Sequence, residues 1–270
     1  MVDLYTRIRE QPGEVLDVIA KSMNTRASEA AMQAICARYM GRIELPEKSR
    51  VLEVGCGNGA ATKLLMKHLD PNELVGVDPA EGLIEMAQEA FSQENRASFH
   101  VGDAVQTGEP GSAFDLVVAH TVFSHLPDPI SALAEAHRVL KPGGQLVVFD
   151  GDYATTTVEL FEGDPLQAVV AAVRRNMVHA PYVMRHLPSE MVAAGFHVSG
   201  AEPHGYLQTE SPDYLLSLLA RGVDAAMRAD EFGEALANGF MEEAQRRVQA
   251  GTFYGAILFI SIQAKKLASS

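Results

Sequence analysis

Val51-Leu-Glu-Val-Gly-Cys-Gly-Asn-Gly-Ala60 reads as a short buried strand running into a glycine-rich turn, with a carboxylate, Glu53, two residues before the first glycine. Gly55, Gly57 and Gly59 stand at alternate positions and lack the Cβ atoms that would hold a ligand away from the backbone. A helix predicted from near Ala60 aims its unpaired N–H groups and positive dipole end at whatever occupies the turn. Gly55, Gly57 and Ala60 also satisfy the G-x-G-x-x-G/A fingerprint of NAD- and FAD-binding proteins, so the turn alone does not choose its nucleotide.

Downstream of the turn, short apolar runs alternate with helical periodicity. Strands are predicted at 51–54, 74–77, 97–101, 114–119 and 145–150, with helices near 60–69, 81–91 and 129–139. Runs such as Leu116-Val-Val-Ala119 and Leu146-Val-Val-Phe149 are apolar at consecutive positions, as in strands covered on both faces. Strand–helix alternation of this kind predicts a doubly wound α/β sheet with right-handed crossovers. Residues 1–41 read as helical, as do 164–185, a short stretch at 189–194, and two helices across 211–250 with a break near Asp230. Ser211 or Asp213 is the expected cap of the first of these two. A strand is expected from Gly195 toward Gly205, and the apolar run 252–263 is expected inside the sheet.

Composition narrows the function classes. The chain has 270 residues, 47% hydrophobic and 21% charged, which is ordinary for a globular protein. A formal net charge of −13 argues against nucleic acid or an anionic membrane as partner. Two cysteines, Cys36 and Cys56, rule out a disulfide framework and a multi-cysteine metal site. The nine histidines are not spaced as metal ligands. Residues 1–7 carry no apolar signal-like core, and no stretch approaches a membrane span; a cytoplasmic protein is the expectation.

Three acids suggest which nucleotide the turn holds. Asp78, at the tip of the second strand, is suited to accept hydrogen bonds from both ribose hydroxyls of an adenosine ligand. Glu53 would repel a pyrophosphate but suits a ligand with an ammonium group. Asp103, in Val101-Gly-Asp-Ala104 after the third strand, is suited to an adenine amino group. Asp78 fits the ribose of NAD and of S-adenosylmethionine alike; Glu53, Asp103 and the tight turn Leu140-Lys-Pro-Gly-Gly144 favour a sulfonium nucleoside over NAD.

The ordered motifs VLEVGCGNGAAT, VGVDPAEGLIEMA, FHVGDA, FDLVVAHTVFSHLPDP and RVLKPGGQLVVFD resemble the class I S-adenosylmethionine-dependent methyltransferases, especially the ubiquinone/menaquinone-biosynthesis and small-molecule branch, which includes enzymes of secondary metabolism. The resemblance covers residues 42–151. It implies a seven-stranded Rossmann-like sheet whose last strand is antiparallel and inserted beside the fifth. It also implies a single domain: an N-terminal helical lid (1–41), the cofactor core (42–151), helical substrate caps (152–190 and 211–250) and a final strand (252–265). The donor would be S-adenosylmethionine and the product S-adenosylhomocysteine. The resemblance places Glu53, Gly55, Cys56, Gly57, Gly59, Asp78, Pro79, Asp103, Ala104 and His120 at the cofactor. In related enzymes the added helices cover an apolar small molecule or pack a homodimer.

Methyl transfer from a sulfonium is an in-line displacement that depends on alignment and needs no metal. An oxygen acceptor needs a base, and His120, just beyond the fourth strand, is the catalytic candidate. His125, Asp152, Tyr153 and His179 are the substrate-side candidates, against the plainer reading of each as a packed or surface residue. Met177, Val178, Tyr182, Met184, Leu215, Leu218 and Phe240 could line an apolar pocket or simply form core. The leading expectation is O-, N- or C-methylation of a small, fairly apolar metabolite. The alternatives are a sulfonium-binding enzyme that catalyses a rearrangement and an NAD-dependent oxidoreductase.

Overall fold

The structure, a computed structural model, describes residues 4–267, with side chains from Arg7 onward. The signal-segment reading therefore falls partly outside the described residues. Seven strands form one sheet: β1 (Arg50–Val54), β2 (Glu73–Asp78), β3 (Ala97–Val101), β4 (Phe114–His120), β5 (Leu140–Thr157), β6 (Phe196–Gln208) and β7 (Gly255–Lys266). Their order is β3-β2-β1-β4-β5-β7-β6. The first five pair in parallel, and β7 runs antiparallel between β5 and β6. The expected Rossmann-like methyltransferase sheet is therefore the observed one, including the insertion of the apolar last strand.

Nine α-helices are described: α1 (Gly13–Ser28), α2 (Ala30–Met40), α3 (Ala60–Leu69), α4 (Glu81–Ala90), α5 (Pro129–Val139), α6 (Gln167–Asn176), α7 (Val183–Ala193), α8 (Asp213–Arg228) and α9 (Glu234–Gln249). The alternation of side chains along each strand explains the two layers. On β4, Leu116 and Val118 face a core built with α2, α3, α6, α8 and α9. Val117 and Ala119 face the opposite core, with α5 and α7. Both faces are covered, which is why these strands read as unbroken apolar runs.

Three details differ from the sequence reading. The helix expected at 164–185 is two helices, because α6 ends at Asn176 and the chain turns through 177–182 before α7. Its second half continues through the short helix expected at 189–194, with Pro188 inside α7. β5 extends well past 150, because β7 pairs with it as far as Thr157. Finally, α8 begins without a side-chain cap of its own. The Glu29 carboxylate accepts the Tyr214 N–H at 3.0 Å and the Gln208 side-chain oxygen accepts the Leu215 N–H at 2.8 Å, so the expected Ser211 or Asp213 cap is replaced by distant groups.

α9 is fastened by a buried ion pair. The Arg247 guanidinium donates to both carboxylate oxygens of Asp164, at 2.7 and 2.8 Å, while Asp164 also accepts the N–H groups of Leu160 and Leu166. Burial alone would raise the Asp164 carboxyl, but these donors hold it below the ordinary value.

Candidate cofactor and acceptor site

The sheet order reverses between β1 and β4, and open α/β sheets bind ligands in the crevice at that point. There the glycine turn passes under α1. Gly55 and Gly57 have φ of +70° and +54°, in the left-handed region that side chains resist. A Cβ on Gly57 would lie 2.8 Å from the Met23 sulfur, and one on Gly55 would lie 2.5 Å from a Val122 methyl. The turn is thus bare because α1 and the segment after β4 approach it closely.

Its N–H groups are largely committed within the protein. Those of Gly55 and Cys56 donate to the Val77 carbonyl, and that of Gly57 donates to Asp78 at 2.9 Å. A pyrophosphate would need such donors for itself. With its donors so committed, the turn is a poor seat for a dinucleotide.

Asp78 is buried and accepts Gly57 N–H on one oxygen and Ala80 N–H on the other, both at 2.9 Å. Each oxygen keeps a lone pair for a ribose hydroxyl. Glu53 is 1% exposed; one oxygen accepts the Thr62 hydroxyl at 2.5 Å, and the other has no partner. An orphaned buried acceptor beside the turn fits a ligand that brings an ammonium group. Pro79, Asp103 and Ala104 line a cleft of about 980 Å³ with Gly55 and Asp78. Asp103 meets Arg9 of an N-terminal 3-10 helix (Leu4–Glu10) at 2.7 Å, so a purine amino group would share it with that guanidinium. A second cavity, of about 390 Å³, is lined by Cys56, Ala60, Ala61, His120, Thr121 and Arg26 among others. These two spaces share Gly55, Met23 and Thr121; their acids and bare turn suit an adenosyl group joined to an amino-acid tail. Gly59 caps α3 at φ +79° and lines neither cavity.

Protonation is distorted here. Burial lifts the Glu53 carboxyl to about 8 against the Thr62 hydrogen bond, and the Asp78 charge adds to the rise. Burial likewise lifts Asp78 to about 6, despite donation from Ala80 and Gly57. Both folded values exceed the ordinary 4.5 and 3.8, so the folded protein binds more protons than the unfolded chain between them. This contribution to stability therefore falls as pH rises from about 4 to 8. A ligand that favours the ionised carboxylates must expel protons on binding. Calorimetric titration with S-adenosylhomocysteine at pH 7, in buffers of different ionisation heat, is expected to show release of up to about one proton. Buffer-independent heats would contradict this.

His120 sits against the tail-side cavity with its Nδ1 2.9 Å from the Tyr39 hydroxyl and its ring stacked on Phe149 at 4.6 Å. Burial first, and the positive Arg26 second, lower it to about 3. Burial thus favours the neutral ring and makes it a weaker proton acceptor than a free imidazole. Thr121, which the sequence reading missed, has φ +59° and accepts from Arg26 at 2.7 Å.

A third, small cavity is also lined by Met23 and Thr121 and lies between α1, α8, the end of β5 and residues 177–178. His125 and Tyr153 line it, and His125 also borders the adenosine-side cleft. His125 ends a 3-10 turn (Phe123–His125) pinned by Asp150, which accepts the Ser124 N–H and hydroxyl at 2.9 and 3.0 Å. Burial raises Asp150, while the nearby His125 and these donors oppose the rise. The other two substrate-side candidates lie elsewhere. Asp152 is buried in a 2.8 Å ion pair with Arg185, and His179 lies exposed in the bend after α6, outside the cavity wall. Of the apolar candidates, Met177, Val178 and Leu218 line the cavity. Met184, Leu215 and Phe240 are core, and Tyr182 is exposed. Met23, Arg26 and Arg221 also form this wall, and no motif in the sequence marks them.

Among the described residues no group of His, Cys, Asp or Glu is placed to hold a metal ion, and no helix is long and apolar enough to cross a membrane.

Comparison with known proteins bears on the family and the fold. The methyltransferase-domain family matches residues 52–148. An uncharacterised methyltransferase of Schizosaccharomyces pombe is 35% identical over 131 residues, 46% of this chain and 47% of that protein. A demethylmenaquinone methyltransferase of Lactiplantibacillus plantarum is 35% identical over 115 residues, 41% and 48% of the two chains. A methyltransferase candidate from Bacillus halodurans, known as a crystal structure, superimposes with a TM-score of 0.63 at 18% identity, over 87% of this chain and 100% of that one. The chain spans about half the length of these two curated relatives.

Proposed function

We propose that this chain, whose residues 52–148 match the methyltransferase-domain family, is an S-adenosylmethionine-dependent enzyme that transfers a methyl group to a small molecule bound between α1 and α8. When bound, S-adenosylmethionine supplies an electrophilic methyl group on positively charged sulfur. The observation that carries the reading is the meeting of the donor-side and acceptor-side cavities at Met23 and Thr121. A nucleophile in one space and a methyl in the other can align only there.

In this reading Asp78 holds the ribose, Asp103 borders the adenine, and Glu53 draws the ammonium end into the turn. Residues 4–40 act as a lid that excludes water, with Met23 over Gly57, and 167–193 and 213–249 build the acceptor wall. His125 borders both compartments and is fixed by Asp150 through Ser124. It is the residue best placed to take a proton from an acceptor hydroxyl or ammonium. His120 shapes the tail-side cavity as a neutral ring.

Incubation with methyl-labelled S-adenosylmethionine and a metabolite extract of the source organism is expected to move label into a small-molecule product. His125→Asn should cut turnover about 100-fold or more with S-adenosylhomocysteine affinity unchanged, and His120→Asn should cost far less. Consumption of an acceptor with the label retained on the donor would favour a rearrangement instead.

A further inference from the structure

Tyr39 on α2, His120 at the end of β4 and Phe149 on β5 form an aromatic stack beside the tail-side cavity. Tyr39 is sealed from solvent. Its ring lies 4.9 Å from that of Phe149, and its hydroxyl meets His120 Nδ1 at 2.9 Å. The Cys36 thiol, one turn back on the same helix, lies close to that hydroxyl. The second ring nitrogen, Nε2, makes no hydrogen bond among the described residues and is not a sealed atom. With Nδ1 turned to Tyr39 and one ring face on Phe149, the Nε2 edge is left for the tail-side cavity that His120 lines.

Which nitrogen of a neutral imidazole carries the proton is set by the hydrogen bond that the other makes. A hydroxyl placed between an imidazole nitrogen and a thiol allows two arrangements. In the first, the Tyr39 O–H donates to Nδ1, the Cys36 S–H points at the phenol oxygen, and Nε2 carries the proton. In the second, Nδ1–H donates to the phenol oxygen, and the Tyr39 O–H is left with the Cys36 sulfur, a weak acceptor. The first gives the phenol proton the stronger acceptor and leaves no buried hydroxyl poorly paired. Burial keeps the ring neutral, so Nε2–H is a donor free of the desolvation cost of a buried cation.

The amino-acid tail of the methyl donor carries one ammonium and one carboxylate. Glu53, within electrostatic reach of Tyr39, keeps an unpartnered oxygen for the ammonium. The carboxylate needs a hydrogen-bond donor.

We propose that His120, held by Tyr39 with its proton on Nε2, donates a hydrogen bond to the carboxylate of that tail. The assignment rests on the reading of this cavity as the seat of the tail. Tyr39 is then a positioning residue, which touches no ligand and acts by fixing the imidazole tautomer.

The test is calorimetry on the full chain with three probes: S-adenosylhomocysteine, its decarboxylated analogue, and methylthioadenosine, which lacks the amino-acid tail. Arg26 borders the same cavity and is present in every variant, so differences between variants report the imidazole N–H. His120→Phe is expected to weaken S-adenosylhomocysteine by about tenfold or more and the other two probes hardly at all. Tyr39→Phe is expected to weaken S-adenosylhomocysteine by about 3- to 10-fold with the same selectivity. Unchanged affinity for methylthioadenosine also reports that each variant folds. NMR of the ligand-free protein with nitrogen-labelled histidine, in which His120 is the signal lost in His120→Phe, is expected to show the proton on Nε2. In Tyr39→Phe the Nδ1 signal should move toward that of an unbonded ring nitrogen. A proton on Nδ1 in the wild type, an equal loss of all three probes in His120→Phe, or S-adenosylhomocysteine affinity untouched by either variant would overturn the assignment. Those results would leave the methyltransferase reading standing. Failure of both S-adenosylhomocysteine and methylthioadenosine to bind the wild type would remove both.

Discussion

Asp78→Ala is expected to weaken S-adenosylhomocysteine binding by at least about 100-fold. Two hydroxyl donors to one ionised carboxylate are each worth about 1.5–3 kcal/mol, and 2.7 kcal/mol is already about a factor of 100. The substitution also removes the acceptor that holds the Gly57 and Ala80 N–H groups, so the turn itself loosens. Asp78→Asn keeps one oxygen and the side chain's shape but gives up the charge, and should fall between the two. The variants also differ in pH dependence. Because burial holds Asp78 near 6, the wild-type advantage should grow between pH 5 and 7 as the carboxyl ionises, and then level off. Titration of the three proteins across that range checks both points. An affinity for Asp78→Ala within a few-fold of wild type would remove Asp78 from the ribose.

The second large effect is on stability. Arg247→Met leaves the buried Asp164 carboxylate without its bidentate partner, and breaking such a pair from one side costs about 3–5 kcal/mol. For a chain of this size the melting temperature should drop by roughly 10 °C. The folded Asp164 carboxyl lies below its ordinary value, so the pair's contribution is complete above about pH 4 and is lost as pH falls through the lower folded value. The gap between wild type and Arg247→Met should therefore be full at pH 7 and close in strong acid. Replacing both partners, Arg247→Met with Asp164→Leu, should recover much of the loss, since no charge is then left buried. Calorimetric melts of the three proteins decide it.

These two residues show where reading the sequence succeeds and where it stops. Asp78 could be located because its strand is a continuous apolar run ending at an acid, and the geometry of parallel sheets puts strand ends at the crevice. The last strand was legible for the same reason: a run as apolar as 255–263 has no stable place at a surface. Arg247 lies on a helix whose polar residues are mostly exposed, and nothing local marks it as buried. Its partner is distant in the chain, so only the folded arrangement reveals the pair. The same holds for Met23 over Gly57, Arg9 on Asp103 and the Glu29 oxygen that caps α8. Each joins the N-terminal segment to a site assembled later in the chain, and helical periodicity records only that a face is covered, not by what. The misread helix at 164–185 has a related cause. Its apolar spacing continues through Met177 and Val178, but those residues turn inward to line a cavity rather than continue α6. His120 lies just beyond the fourth strand, where the sequence suggested, while the surroundings that bury it come from Tyr39 and Phe149 on separate elements.

A crystal structure of the protein with S-adenosylhomocysteine tests the central claim most directly. The account predicts the ribose hydroxyls within hydrogen-bond distance of Asp78, and the amino-acid tail beside Gly55 and Gly57, beneath Met23. A crevice left empty at saturating ligand, or the nucleoside bound away from Asp78, would contradict it.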